Sequence, residues 1–287
     1  MKPHLHAERR TLAQPVDITG IGLHTGQPAR LRLHPSQNGL LLRKGASVFP
    51  VRWDYVRDTH RAVALGNGEF TLGTVEHLLA ALWGLGITDC VIEVLEGNEV
   101  PILDGSALPF MELIGSPVAL DSPLPAVCMP VLEPVWAQRG DRVVGVLPGH
   151  LYAFGYIHFP EPLGVQAGCF DLRLFREQIA PARTFGFLHE VESLRQQGLA
   201  RGGSLENVLL IAPDGYYNSA RFVDEPLRHK ILDVIGDLML CGANLCDFAL
   251  VAIKPGHSLD VELAQALAQR LPQWRTWMEA HDGGMDA

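Results

Sequence analysis

Apolar and polar positions alternate through the first fifty residues. The stretches "VDITGIGLHTGQPARLRLHP", "NGLLLRK" and "SVFPVRW" carry the two-residue period of a half-buried sheet. The period then changes. "TLGTVEHLLAALWGLG" reads as a helix closed by Gly84 and Gly86, and "DCVIEVLE" returns to strand. Prolines cluster across residues 116–134, "SPVALDSPLPAVCMPVLEP", and mark a linker. The second half repeats the style. It has strands in "RVVGVLP", "LYAFGYIHF" and "FALVAIKP", a long helix around "RHKILDVIGDL", and a closing amphipathic helix in "VELAQALAQRLPQW". No sequence repeat accompanies this likeness. The pattern predicts an α+β chain of two similar domains, residues 1–122 and 123–287.

Within "RHKILDVIGDL" three polar residues break the apolar rule in a regular way. His229, Asp233 and Asp237 stand four apart, so on a helix they form one narrow stripe. A solvated helix face is one reading. The flanks Ile231, Leu232, Val234, Ile235 and Leu238 leave little room for a wide wet face. The other reading is chemical. A histidine and a carboxylate at i, i+4 can grip one metal ion, and their nitrogen and oxygen donors suit zinc or iron. Two ligands do not make a site. "TVEHLLAAL" offers a third in His77, with Glu76 beside it as a base, although a surface Glu-His pair would look the same. A catalytic zinc keeps three protein ligands and one open position, and lowers the pKa of water there to about 7. The spacing is not that of an HExxH zincin.

"KPGHS" places His257 after an apolar strand. It reads as a surface-loop histidine or as a general acid facing an oxyanion, with Asp237 hydrogen-bonded to its ring. "ARTFGF" sets the hydroxyl of Thr184 beside Phe185 and Phe187, either as a donor to substrate or within a buried strand. The glycines of "GIGLHTG" sit in a turn with no helix after it, which argues against a dinucleotide fingerprint.

Bulk composition narrows the class. Hydrophobic residues make up 47% and charged residues 19%, with a mean hydropathy of +0.12, so the chain can bury a substantial core. A net charge of -9 argues against nucleic acid or an anionic membrane as the main partner. No apolar run reaches the roughly 18 residues of a spanning helix. The five cysteines are scattered, with no CxxC, and read as reduced thiols of a cytoplasmic protein.

Long blocks of this sequence, in order, resemble one family. They are "RTLAQPVDITGIGLHTG", "TVEHLLAALWGLGITDCVIEV", "VPILDGSALPF", "ARTFGF", "GLARGGSLENVL", "DEPLRHKILDVIGDLMLCGANL" and "KPGHSL". Across about residues 9–270 they are similar to the bacterial UDP-3-O-acyl-N-acetylglucosamine deacetylases, the zinc amidases of lipid A synthesis. The resemblance implies two α+β domains, each a β-sheet with paired helices, the helices sandwiched between the sheets. It implies Zn2+, or Fe2+, on His77, His229 and Asp233, and Glu76 as the base that activates water. It further implies His257 as partner acid oriented by Asp237, and Thr184 as the hydroxyl that steadies the oxyanion. Phe185 would lie against the glucosamine ring and Phe159 against uracil. Lys230 and Lys254 would sit near the hexose and diphosphate. An insert at residues 188–205 would form an apolar passage for the acyl chain. The expected partner is the UDP-linked acylated sugar alone, with no nucleic acid, no integral membrane segment and a monomeric chain.

The chain departs from the family pattern in places. "IHFPEP" puts His158 and Glu161 where an acid and a histidine are usual. Pro226 stands in "DEP" where phenylalanine is commoner, and Asp260 stands where asparagine is usual. "THRAVALGNG" is atypical around Ala62. These departures point to altered nucleotide contacts, a tilted helix start and an altered cleft lining rather than altered metal chemistry.

Overall fold

Alternation in the first hundred residues builds a five-stranded mixed sheet. Its strands are β1 (Val16–Ile21), β2 (Pro28–Pro35), β3 (Leu40–Lys44), β4 (Ser47–Pro50) and β5 (Cys90–Glu96). They lie in the order β1-β2-β5-β3-β4, with β5 parallel to β3 and antiparallel to β2. One face is buried through Ile18, Leu31, Leu33, Leu42, Ile92 and Val94. The other carries Asp17, Arg30, Arg32, His34, Arg43 and Glu93, joined in ion pairs. The computed structural model describes residues 8–120 and 128–281. The expected boundary between residues 122 and 123 lies outside the described residues.

A second five-stranded sheet follows the same plan. It comprises β6 (Val135–Arg139), β7 (Arg142–Pro148), β8 (Tyr152–His158), β9 (Val165–Asp171) and β10 (Phe248–Ile253), in the order β6-β7-β10-β8-β9. Helices pack between the two sheets. α1 (Glu76–Leu85) pairs with α2 (Leu108–Ile114), and α3 (Glu225–Leu238) pairs with α4 (His257–His281). Buried residues of both sheets and all four helices join one apolar cluster. The expected sandwich of two similar α+β halves is what forms.

Three local details fix where the site will lie. α1 begins at Glu76, later than the apolar run, because Thr71–Leu72 is a strand and Thr74 turns to a φ of 56°. It ends at Gly86, whose left-handed φ of 69° closes the helix. α3 begins at Glu225, and Pro226 lies in its first turn, where a missing N–H costs nothing. α3 and α1 meet at Gly236, where a Cβ would stand 2.1 Å from the Glu76 carbonyl oxygen. Only glycine allows that approach.

The cysteine expectation is corrected. Cys90, Cys169 and Cys241 are free thiols, but Cys246 is disulfide-bonded. Cys90 and Cys241 are buried and Cys169 is exposed.

Candidate active site and metal centre

The stripe on α3 is not solvated. His229 and Asp233 are each 2% exposed and Asp237 is 0% exposed, because α3 is wrapped by α1, α4 and β8. The start of α1 brings His77 to the same place. The rings of His77 and His229 meet edge to face at 4.9 Å. Asp233 Oδ1 lies 3.3 Å from His229 Nε2 and 3.7 Å from His77 Nε2. His77, His229 and Asp233 thus form a candidate metal site, each offering one ligand atom.

The state of these atoms fits a cation. His229 Nδ1 donates to the Ala182 carbonyl at 3.0 Å, which frees Nε2 as a donor atom toward the centre. Asp233 Oδ2 accepts from Lys230 Nζ at 2.8 Å. Its Oδ1 is buried and has no hydrogen-bond partner among the described residues. Such an atom is costly unless something positive meets it. Burial, together with the charge of the neighbouring imidazole, lowers the His77 pKa to about 3, and burial also lowers that of His229. For Asp233 burial works against ionisation, but His229 and Lys230 outweigh it and hold the carboxyl below its ordinary range. Two neutral imidazoles and one carboxylate are the protonation states that metal ligands need.

Glu76 and His257 face each other beside this centre. Glu76 Oε2 accepts from the Val63 N–H at 3.0 Å, and Oε1 lies 3.9 Å from His257 Nε2. Burial pushes the Glu76 carboxyl up to about 7. His257 is the first residue of α4 and buried, not a surface-loop residue. Its Nδ1 donates to Asp237 Oδ2 at 2.8 Å. Asp260, one turn along α4, completes a second cluster with Asp237 and His257. Its place is therefore beside His257, which faces Glu76, and the expectation that this departure touches only nucleotide contacts does not hold.

An apolar cavity of about 250 Å³ opens from Thr184 and Phe185. Its floor is the strand Phe185–Phe187 with Val208 and Leu210 beside it, and the helix Val191–Gln196 forms a wall. The expected insert at residues 188–205 supplies much of that lining. Phe159 and Phe185 meet edge to face at 5.4 Å, and Lys230 lies over the Phe185 ring at 5.7 Å. Arg61, next to Ala62, reaches across to pair with Glu190 at the rim. Lys254 is tied elsewhere. It follows β10, but its ammonium pairs with Asp141 on the turn between β6 and β7.

Sequence reading passed over Glu99. Its carboxylate accepts from the backbone N–H groups of His24 and Thr25, and from the hydroxyls of Thr25 and Thr74. It thereby fixes the turn at residues 22–26, which carries Leu23 and His24 into the cavity wall. Arg201 and Gly202 then donate to the carbonyls of His24 and Leu23, locking the insert onto that turn. Glu99 sits in a short loop without periodicity, so nothing in the sequence pattern marks it.

The chain matches the LpxC family, UDP-3-O-acyl N-acetylglycosamine deacetylase, over residues 9–269. The chain belongs to that family. Curated deacetylases of the same description support the assignment. That of Leptospira biflexa is 40% identical over 277 residues, covering 92% of this chain and 90% of the relative. That of Trichormus variabilis is 38% identical over 276 residues, covering 91% and 98%. That of Myxococcus xanthus is 40% identical over 283 residues, covering 92% and 87%. Family membership makes this chain a deacetylase, and its candidate metal site is built from side chains of α1 and α3. Among the described residues, no helix of this deacetylase is long and apolar enough to cross a membrane.

Proposed function

We propose that this deacetylase hydrolyses the acetamide of a UDP-linked, 3-O-acylated N-acetylglucosamine, the committed step of lipid A biosynthesis, with the residues in the following roles. His77, His229 and Asp233 hold one Zn2+, a place that Fe2+ could also take. When bound, the ion supplies Lewis acidity toward the acetamide carbonyl and toward water. Glu76, fixed through Oε2 by the Val63 N–H, accepts the proton of the attacking water. The Thr184 hydroxyl and His257 donate toward the oxyanion as the tetrahedral centre forms. Asp237 holds the Nδ1 proton of His257 and so fixes which nitrogen faces the reaction. The C–N bond then breaks, and a proton from His257 or Glu76 passes to the departing amine, leaving acetate and the free amino sugar.

The cavity beyond Thr184 takes the acyl chain, and the ring of Phe185 packs against the glucosamine. Phe159 stacks on the uracil and Lys230 carries positive charge for the hexose, while Lys254 would exchange its partner Asp141 for the diphosphate. The cytoplasmic location expected from the sequence and the division at residues 122 and 123 remain part of this proposal.

The observation that carries the reading is the convergence of His77, His229 and Asp233 beside a facing Glu76–His257 pair. Glu76→Ala and His257→Ala should each keep the fold, by circular dichroism and melting, and lose about 10²–10⁴-fold in deacetylation rate. Near-normal turnover in both would overturn the mechanism.

A further inference from the structure

Behind His257 two carboxyl groups are shut away from water, and each has a bare oxygen. Asp237 and Asp260 are both fully buried. Asp237 accepts the His257 Nδ1 proton through Oδ2, but its Oδ1 has no hydrogen-bond partner among the described residues. Asp260 accepts from the Gly256 N–H at 3.3 Å through Oδ1, but its Oδ2 has no such partner either. One oxygen from each carboxyl and one His257 ring nitrogen lie within 4.8 Å of one another. The nearby cations do not meet this deficit. Lys230 on α3 gives its hydrogen bond to Asp233. Arg142 on β7 lies against Gly256 but donates to the Lys254 carbonyl, and Arg139 on β6 pairs with Glu262. His257 itself faces Glu76 and His77 on α1, His229, Asp233 and Asp237 on α3, and His24 on the turn at 22–26.

We propose that Asp260 is a positioning residue for the deacetylation, acting on His257 through one proton that it shares with Asp237. This rests on the reading of His257 as the partner acid. Two ionised carboxylates so close, each with a bare buried oxygen, repel and have nothing to offset them. One proton relieves both, because the hydroxyl of one acid donates toward the bare oxygen of the other. Asp260 carries it, since Asp237 already accepts the His257 Nδ1–H, which favours its charged form. Burial, and then the Asp237 charge, raise the Asp260 carboxyl to about 7, so this proton leaves near neutral pH. With the proton in place the pair carries one negative charge. Above that point it carries two, and the second charge opposes loss of the His257 proton. Asp260 thus keeps the acid protonated to higher pH. The asparagine usual at this position would donate an N–H toward Asp237 Oδ1 without ever adding that charge.

Two measurements on wild type, Asp260→Asn and Asp260→Ser test it. Neither variant can hold the second charge. The first is the pH dependence of kcat/KM in the metal-loaded enzyme. The alkaline limb of both variants should fall at a pH about 1 unit below that of wild type. The second needs no turnover. Long-range proton–nitrogen spectra of protein labelled at histidine follow the ring nitrogens, and those that vanish in His257→Ala belong to His257. Their titration should move down by a similar amount in both variants. A His257 titration that coincides with wild type in both folded variants overturns the proposal, whatever the limb does. A titration that moves while the limb stays fixed upholds the coupling of Asp260 to His257, and it is then the reading of His257 as the acid that fails.

Discussion

Gly236→Ala adds one methyl group where α3 crosses the start of α1. The new Cβ would stand 2.1 Å from the Glu76 carbonyl oxygen and 2.8 Å from its carbon. Both are backbone atoms, so no side chain can swing aside. A comfortable C···O contact needs about 3.3 Å, so the helices must part by roughly 1 Å. Overpacking of this kind costs about 1–3 kcal/mol, and alanine's better helix propensity returns about 1 kcal/mol. The net loss, on the order of 1 kcal/mol, lowers Tm by about 2–4 °C. The site suffers more than the fold, because His77 rides on α1 while His229 and Asp233 ride on α3. Ligand distances are held to about ±0.2 Å in a metal site, and a misplacement of about 1 Å costs on the order of 10² in rate. Zinc affinity, measured by competition with a chromogenic chelator, should fall about 10–100-fold. Acetate release should fall by a comparable factor while circular dichroism stays native. Wild-type zinc affinity and turnover in this variant would refute the idea that the helix crossing sets the ligand geometry.

Other expectations follow from single contacts. Stripping the metal with a chelator should abolish turnover and lower Tm, and stoichiometric zinc should restore both. In the His229→Ala protein, added zinc should leave Tm unmoved, as differential scanning calorimetry would show. The buried Arg183–Glu225 pair gives a pH test of stability. Burial opposes the Glu225 charge, but hydrogen bonds from Arg183 and Arg221 win and its pKa falls below the ordinary 4.5. A depressed acid stabilises above its unfolded pKa and loses that contribution as pH falls through the folded value. Glu225→Gln should therefore melt well below wild type at neutral pH, and the gap should narrow below pH 4.5. Asp260 has the opposite sign, since burial raises its pKa from 3.8 to about 7. Its stabilisation is complete below 3.8 and lost as pH rises toward 7, so Asp260→Asn should gain Tm over wild type across that window. A constant gap across that window would contradict this assignment.

The candidate metal site was legible because a helix converts sequence spacing into direction. His229, Asp233 and Asp237 at four-residue steps had to share a face whatever the tertiary fold. The spacing could not say whether that face was wet. That depended on α1 crossing at Gly236, a contact between residues 160 apart in sequence. The sheets were legible from alternation, but not what covers them. "LYAFGYIHF" is apolar on both faces, and strand periodicity alone does not tell which face meets the helices. Asp260 and Glu99 were misjudged or missed for a related reason. Each acts through neighbours brought to it by the fold, His257 and Asp237 in one case and the turn at 22–26 in the other.

The clasp between that turn and the insert also orders events in time. Glu99 completes its four hydrogen bonds with partners that precede it in the chain. Arg201 and Gly202 arrive about a hundred residues later, which on a ribosome is about 5–20 s. One part of the cavity wall can thus be set while the insert that joins it has yet to be translated. Glu99 then serves as an internal splint, holding Leu23 and His24 ready for a partner loop that has still to emerge.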